Sequence, residues 1–294
     1  MKRFVIHSVA AVAFIAQAQA ADLPAKSPPV EEAAPAEPFS WTGYYLGFSG
    51  GYGTQHNVAK TSPAGDTGLF GPDDFAALRL NHTKFDGDGF VGGAHAGYNY
   101  QATPGTGIVV GVETDVALAD IKQARSWGFS NSLQINGGFL TSQTNVATQD
   151  KLDFLGTVRG RIGYAFNRAF VYGTGGLAYG DTSYRHDITY VANYAPLNGA
   201  PMNASGQFGA HSGGMNVGVA YGGGIEYALP VNEALNLGSS SVVTLAGEYL
   251  HYDLGDRTVK GFTESGGRRD LVSSTKISTE GDIVRGRLSV KFGL

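Results

Sequence analysis

The chain contains no cysteine among its 294 residues. This absence excludes a disulfide framework, a lipidated N-terminal cysteine and thiol chemistry. Beyond the N-terminal segment there is no run of about 18 apolar residues, so no membrane-spanning helix is predicted. Lysine and arginine number 21 against 25 acidic residues, and the pI is near 6.0, so the basic surface typical of nucleic-acid-binding proteins is missing.

Glycine and aromatic residues are abundant instead. The chain has 44 glycines, well above the usual share of about 7%. Aromatic residues make up 11%, while the mean hydropathy is only −0.10. This combination is typical of a chain in which apolar residues alternate with small or polar ones.

The N-terminus has the three parts of a secretory signal peptide. Lys2 and Arg3 form a charged start, residues 4–16 are apolar, and Ala18 and Ala20 are the small residues that a signal peptidase requires. We therefore predict a signal peptide over residues 1–20 with cleavage after Ala20. Residues 21–40 are rich in proline, alanine and glutamate, which predicts an extended periplasmic tether before a single domain over residues 41–294.

Eight segments of the domain alternate apolar with small or polar residues. Each is roughly ten residues long, which is the length and period of a tilted membrane-spanning strand. The predicted strands are residues 42–53, 90–100, 108–119, 152–166, 170–180, 216–229, 242–252 and 283–292.

The connections between these segments alternate between long and short. Those after the first, third, fifth and seventh segments are each about 30 residues long and polar, and the others are short. Alternation of this kind is typical of outer-membrane barrels, which have long outer loops and short periplasmic turns. The sequence therefore predicts an all-β, eight-stranded, antiparallel up-and-down transmembrane barrel with long extracellular loops and short periplasmic turns.

The charged residues within the predicted strands lie opposite the large apolar side chains. A charge on the lipid face near mid-bilayer costs about 2–4 kcal/mol for Arg or Lys, so we expect these charges to face the lumen. Acidic and basic residues lie on neighbouring strands, where they can pair. The predicted interior charge network consists of Glu113, Asp115, Arg159, Arg161, Glu226, Glu248, Arg285 and Arg287.

Short motifs in the domain resemble those of the small outer-membrane β-barrel proteins of alphaproteobacteria, which include surface antigens and haemin-binding members. The resemblance covers residues 41–292. Its carriers are Trp41-Thr42-Gly43-Tyr44-Tyr45-Leu46-Gly47, Gly97-Tyr98-Asn99-Tyr100-Gln101, Gly111-Val112-Glu113-Thr114-Asp115, residues 158–164, residues 172–180 and Gly247-Glu248-Tyr249. It implies location in the cell outer membrane of a Gram-negative bacterium and membership of the porin family.

Three other motifs have ordinary explanations. Residues 173–176 are glycine-rich, but no Lys-Ser/Thr pair follows, so strand packing explains them better than phosphate binding. Residues 86–89 resemble the start of a calcium loop but lack its later ligands, so a turn is expected. The predicted charges lack a poised nucleophile, so we predict structural filling rather than catalysis, and no enzyme.

Four histidines lie in the predicted outer loops. His56 and His82 belong to the first long connection, and His186 and His211 to the third, where several tyrosines are close in sequence. Histidine and tyrosine are iron ligands in haem proteins. Together with the resemblance, this makes the four residues candidates for haemin capture, although solvated loop histidines are the favoured explanation. No metal and no bound cofactor are predicted.

The sequence favours a structural role, in envelope integrity and surface exposure. Passive diffusion of small solutes and haemin binding are the alternatives. The expected partners are outer-membrane lipid, lipopolysaccharide and the outer-membrane assembly machinery, with peptidoglycan or other envelope proteins as further candidates and no nucleic acid.

Overall fold

The computed structural model describes residues 38–64, 83–135, 137–230, 241–265 and 268–293. The predicted signal peptide and most of the predicted tether lie outside these ranges. The described residues form eight strands: β1 (Gly43–Pro63), β2 (Thr83–Gln101), β3 (Thr106–Ile135), β4 (Gly138–Phe166), β5 (Ala169–Pro196), β6 (Met202–Ala228), β7 (Ser241–Ser265) and β8 (Arg268–Phe292). In these ranges no helix is both long and apolar enough to cross a membrane.

The eight strands close into a barrel in sequence order. Each strand pairs antiparallel with the next, and β8 returns to β1, with Phe292 opposite Tyr44 and Leu288 opposite Phe48. Closure removes the free edges that an open sheet would have in the membrane. The predicted eight-stranded, up-and-down barrel is confirmed.

The strands are much longer than predicted. They contain 19 to 30 residues, whereas about 9–11 suffice to cross a bilayer. The long excursions are confirmed as long hairpins on one side, but most of their residues are strand rather than loop. In β4, for example, Thr144, Val146, Thr148 and Asp150 are buried in strict alternation. Because these inward residues are mostly polar, hydropathy alone does not reveal the strand.

The outer surface divides the barrel into two parts. Large apolar side chains cover the outside of the part next to the short turns, which we call the lower barrel. Mainly small or polar side chains cover the outside of the rest, the upper barrel, with exposed exceptions that include Leu133, Phe139, Val191 and Met202. The exposed residues of the lower barrel include Tyr44, Leu46, Phe48, Val112, Leu118, Val158, Ile162, Leu177, Val217, Ile225, Val284 and Leu288. This apolar belt faces lipid, since such a surface would be unfavourable in water.

The lumen of the lower barrel is filled from bottom to top. Trp41 is fully buried at the bottom, packed against Phe170 with ring centroids 5.2 Å apart. The charged side chains follow, and above them lies an apolar cluster that includes Ile121, Leu152 and Leu250. An eight-stranded barrel is just wide enough for its own side chains to fill it.

The pairing of β2 with β3 ends well before β3 does. The last paired residues are Asp88 and Lys122. β3 nevertheless stays paired with β4 as far as Ile135 and Gly138. Within the described residues, the upper part of β3 therefore has a strand neighbour on one side only.

A second interruption separates β6 from β7. These strands pair up to Val219 and Asp253, then lose their register, and meet again only at residues 208–209 and 262–263. Together the two seams divide the upper barrel into two four-stranded sheets, β3 to β6 and β7-β8-β1-β2.

Candidate functional site: the interior charge network

The structure brings all eight residues of the interior charge network together in the lower barrel. Alternation along each strand turns them inward, because neighbouring residues such as Val112, Val158 and Val284 face lipid. β3 and β4 each contribute two of the residues, β6 and β7 one each, and β8 two. The charged side chains have almost no exposed surface, and those of Arg159, Glu113 and Glu248 have none.

Arg159 and Arg285 form the centre of the network. Nη2 of Arg159 donates to Glu113 Oε1 at 2.7 Å and to Asp115 Oδ2 at 2.8 Å, and it lies 3.3 Å from Glu248 Oε1. Nη2 of Arg285 donates to Glu248 Oε1 at 2.5 Å and to Asp115 at 3.3 Å. Each of these carboxylates is therefore shared between guanidinium groups, which offsets the cost of burying the charges.

The other two arginines extend the network across the lumen. Arg287 of β8 donates to both Glu248 and Glu113, so it joins strands that are not neighbours in the sheet. Arg161 donates to Glu226 Oε2 at 2.7 Å and lies 3.4 Å from Glu113. Four carboxylates and four guanidinium groups meet in this way, and their formal charges cancel.

Uncharged side chains complete the hydrogen bonding. Tyr45 Oη donates to Glu113 Oε2 at 2.8 Å, and Tyr172 Oη donates to Glu248 Oε2 at 2.7 Å. The guanidinium of Arg161 also stacks on the Tyr172 ring, 3.9 Å from its centroid. Neither tyrosine is among the residues predicted for the network. The signal for Tyr45 was present, since it alternates with Tyr44 and Leu46 on the lipid face.

Two threonines and a histidine surround the network. Thr157 Oγ1 donates to Asp115 Oδ2 at 2.5 Å, and Thr244 Oγ1 donates to Glu226 Oε1 at 2.7 Å. His95 is buried beside them, with Nε2 hydrogen-bonded to Ser289 Oγ at 2.8 Å. Every carboxylate of the network accepts hydrogen bonds from at least two side chains, which is the condition for burying charge inside a protein.

This arrangement of charges suits a structural role, in which the network holds the strands of the lower barrel together. Its carboxylates are bound to arginines rather than poised against a substrate cleft. No cluster of three or more potential metal ligands occurs in the described part of the chain. Below the network, Trp41 donates from Nε1 to the carbonyl of Asn167 at 2.9 Å, which holds its ring across the lower end of the lumen.

The structure does not bring the candidate haemin ligands together. His56, His186 and His211 lie in strands β1, β5 and β6 rather than in loops, and His82 lies outside the described residues. His186 faces the lumen of the upper barrel, where Nδ1 is hydrogen-bonded to Thr148 Oγ1 at 2.8 Å. Burial lowers the pKa of His186 to about 4. His186 pairs with Ala210 across β5 and β6, and the next residue, His211, has its side chain on the outside. The two histidines therefore lie on opposite faces of the barrel wall.

The two exposed histidines each have an acidic partner. Nδ1 of His56 lies 2.9 Å from Asp86 Oδ1, and Nε2 of His211 lies 2.9 Å from Asp187 Oδ1. The predicted turn over residues 86–89 is also wrong, because these residues belong to β2 and pair with β1. Residues 173–176 likewise lie within β5, between β4 and β6, so they form no phosphate-binding loop.

Comparisons with known proteins identify relatives among outer-membrane proteins. The chain is 32% identical to the 31 kDa outer-membrane immunogenic protein of Brucella melitensis over 263 residues, which cover 88% of this chain and 90% of that protein. It is 33% identical to the 25 kDa outer-membrane immunogenic protein of Brucella abortus over 60% of this chain and 64% of that one. It is 35% identical to a 22 kDa outer membrane protein of Rhizobium leguminosarum over 53% and 52%.

Solved structures are more distant. The outer membrane protein OprG of Pseudomonas aeruginosa matches with a TM-score of 0.36 and 11% identity, over 87% of this chain and 99% of that one. No family model matches the sequence. The match to the 31 kDa Brucella protein extends over nearly the full length of both chains, and the chain belongs to the family of alphaproteobacterial outer-membrane immunogenic proteins, located in the cell outer membrane.

Proposed function

We propose that the protein is a structural barrel of the outer membrane, which contributes to envelope integrity and displays its upper barrel at the cell surface. The observation that carries the proposal is the filling of the lumen. In the described residues, the interior charge network spans the lower barrel with no exposed side-chain surface on Glu113, Arg159 or Glu248. A protein built for passive diffusion would instead keep a water-filled path.

The packing below the network supports the same role. Trp41, Phe170 and Ala165 are all fully buried and form one apolar cluster at the lower end. The backbone of Trp41 is fixed by the side chain of Gln101, whose Oε1 accepts from its N–H at 2.8 Å. Solutes would have to displace both this apolar cluster and the ion pairs above it.

Planar-bilayer conductance tests the closed lumen. We expect the purified, refolded protein to show no stable, wide, ohmic channel. As a matched variant, Glu113→Ser with Arg159→Ser removes one inward acid and one inward base, and should produce small current steps by opening space in the network. Conductance of the unchanged protein at the level of a large trimeric porin would contradict the proposal and favour the diffusion alternative.

Cysteine labelling tests the surface display. Because the chain has no cysteine of its own, any label found on the purified protein must be attached to the introduced cysteine. Thr189 is exposed on the outside of the upper barrel, and Thr103 is exposed in the short connection between β2 and β3. A membrane-impermeant maleimide added to intact cells should label Thr189→Cys and leave Thr103→Cys unlabelled. The reverse pattern would mean that the barrel is inserted the other way.

A further inference from the structure

Among the residues that the structure describes, the upper part of β3 is a sheet edge. Residues 123–135 pair with β4 on one side. On the other side the ladder with β2 ends at Asp88 and Lys122, Gly87 still lies against Gln123, and no described residue pairs with residues 124–135. At about 3.3 Å per residue this edge is roughly 40 Å long. Its backbone N–H and C=O groups on the β2 side can therefore pair with another strand.

The edge lacks the features that usually protect exposed strands. Such edges commonly carry several charges, prolines or bulges that discourage pairing. Residues 123–135 contain one charged residue, Arg125, and no proline. Their pairing with β4 runs without a register shift from Lys122 to Ile135. This stretch is thus a regular strand with one side to which no described strand pairs.

The sequence of the edge is nearly symmetrical about Gly128. Serine lies two residues away on each side, at Ser126 and Ser130, and an aromatic residue lies one residue away on each side, at Trp127 and Phe129. In an antiparallel pair of two copies centred on Gly128, each serine would face a serine and each Trp127 would face a Phe129. Aromatic cross-strand pairs of this kind stabilise sheets.

The orientation of the side chains suits this pairing. Trp127 and Phe129 face the lumen, where they pack against the cluster of Val146, Ile188, Phe208 and Val272. Ser126 and Ser130 are exposed on the outside. The same residues would share a face in both copies, and the single charge, Arg125, would lie opposite Asn131. The indole Nε1 of Trp127 has no hydrogen-bond partner among the described residues.

We propose that the β3 edge binds a second copy of this chain, by antiparallel pairing of residues 124–132 about Gly128. The pairing joins the two β3-to-β6 sheets into one continuous sheet and is isologous, because the same patch is used on both molecules. This inference rests on the proposed display of the upper barrel at the cell surface.

The direction of β3 determines where the second copy lies. β3 begins at the short connection after β2 and runs away from the lower barrel. An antiparallel partner must run the opposite way, so its lower barrel lies in an opposing membrane. The contact therefore links two outer membranes that face each other, and many weak contacts between the same two surfaces act together.

Vesicle clustering tests the pairing. Full-length protein is refolded into lipid vesicles, and clustering is followed by dynamic light scattering. We compare the unchanged protein with S126K/S130K and S126E/S130E, each of which places two like-charge pairs across the symmetrical ribbon. Vesicles with the unchanged protein should cluster, and either variant alone should cluster about tenfold less. Mixing lysine-variant vesicles with glutamate-variant vesicles should restore clustering, because every cross-strand pair is then of opposite charge.

T189K/N193K is the matched control. Both residues are exposed on β5, two strands away from the edge, so this variant should cluster like the unchanged protein. Heat-modifiable migration on gels confirms that each variant is folded. Unclustered vesicles of the unchanged protein, or clustering that is insensitive to the charge pairs, would overturn the proposal. Normal labelling of Thr189→Cys and a closed lumen in the same preparations would show that the proposed function stands without the self-pairing.

Discussion

The lower and upper barrel both bury charged side chains, but they compensate them differently. In the lower barrel, Glu248 lies within hydrogen-bond distance of three arginines and Tyr172. In the upper barrel, Asp150 is just as deeply buried, yet its only cationic partner in the described residues, Arg257, lies 3.7 Å away.

The polar atoms around Asp150 are also less completely paired. Its carboxylate accepts from the side chains of Asn57 and, at 3.3 Å, Gln55, and from the backbone N–H of Lys151 at 2.9 Å. Nε and Nη2 of Arg257 and Oδ1 of Asn57 have no hydrogen-bond partner among the described residues. Burial raises the pKa of Asp150 to about 6 and lowers that of Arg257. The comparison shows that depth of burial does not decide whether a charge is tolerated; the number and geometry of its partners do.

The largest effect is expected at Glu248. Glu248→Ala leaves the interior charge network with one positive charge in excess, because Arg285 and Arg287 keep only Asp115 and Glu113 as acidic partners. Breaking a buried pair from one side costs about 3–5 kcal/mol where water is excluded, and less if water enters. The measurement is the free energy of unfolding in urea of the barrel refolded in lipid vesicles.

A double-mutant cycle identifies the cause of that loss. Arg285→Met should partly rescue Glu248→Ala, and only partly, because Arg285 also contacts Asp115. The same change should leave the effect of Tyr249→Ala unaltered, since Tyr249 faces outward. Coupling near zero between positions 248 and 285 would contradict the assigned pairing.

A smaller, pH-dependent effect is expected at Asp150. An acid whose pKa is higher in the folded state than its unfolded value of about 3.9 binds its proton more tightly when folded. The stabilisation that the protonated Asp150 side chain adds to the free energy of unfolding is therefore complete below about pH 4 and is lost as the pH rises through about 6. The unchanged protein should lose on the order of 2 kcal/mol of unfolding free energy over this range from Asp150. Asp150→Asn should remove that part of the pH dependence.

Asp256→Asn is the control for this measurement. Asp256 is exposed, and its hydrogen bond with Lys276 lowers its pKa, so its contribution has the opposite sign and is lost only in acid. Asp256→Asn should therefore leave the pH dependence of the unfolding free energy unchanged between pH 4 and 7. An Asp150→Asn profile parallel to that of the unchanged protein would show that Asp150 titrates normally.

The smallest effect is expected at the connection between β5 and β6. Leu197 is 72% exposed just after β5 ends at Pro196. A protease that cleaves after large apolar residues, added to intact cells, should cut the protein after Leu197. The two fragments should stay associated, and the free energy of unfolding should be nearly unchanged, because the cut interrupts no strand. Leu197→Gly should abolish the cut. Rapid cleavage within β3 or β4 instead would show that the upper barrel is not continuous strand.

The lower barrel could be predicted from the sequence because its two faces meet different solvents. Successive residues in its strands differ sharply in polarity, as Val112 and Glu113 or Val284 and Arg285 do. A wall that faces lipid on one side and a polar lumen on the other explains this difference. The faces of β5 cannot be predicted in this way, since its many glycines carry no side chain to mark a face. In the structure Val171 and Leu177 face outward and Tyr172 faces inward.

The upper barrel could not be predicted in the same way, because water replaces lipid outside it. Its outward residues are then as polar as many inward ones, for example Gln149 beside Asp150, so the alternation disappears from hydropathy. Long-range pairs such as Arg287 with Glu113 also depend on the curvature of the closed barrel. Neighbouring-strand reasoning predicts only partners one strand apart.

The distribution of charge among the strands has a consequence for assembly. β1 to β7 carry the four carboxylates of the interior charge network but only two of its arginines, and β8 carries the other two. A sheet that still lacks β8 therefore has two negative charges in excess on its concave face. The eighth strand of the barrel brings the compensating pair, so electrostatic attraction favours its docking in the one register that places Arg285 and Arg287 at that height.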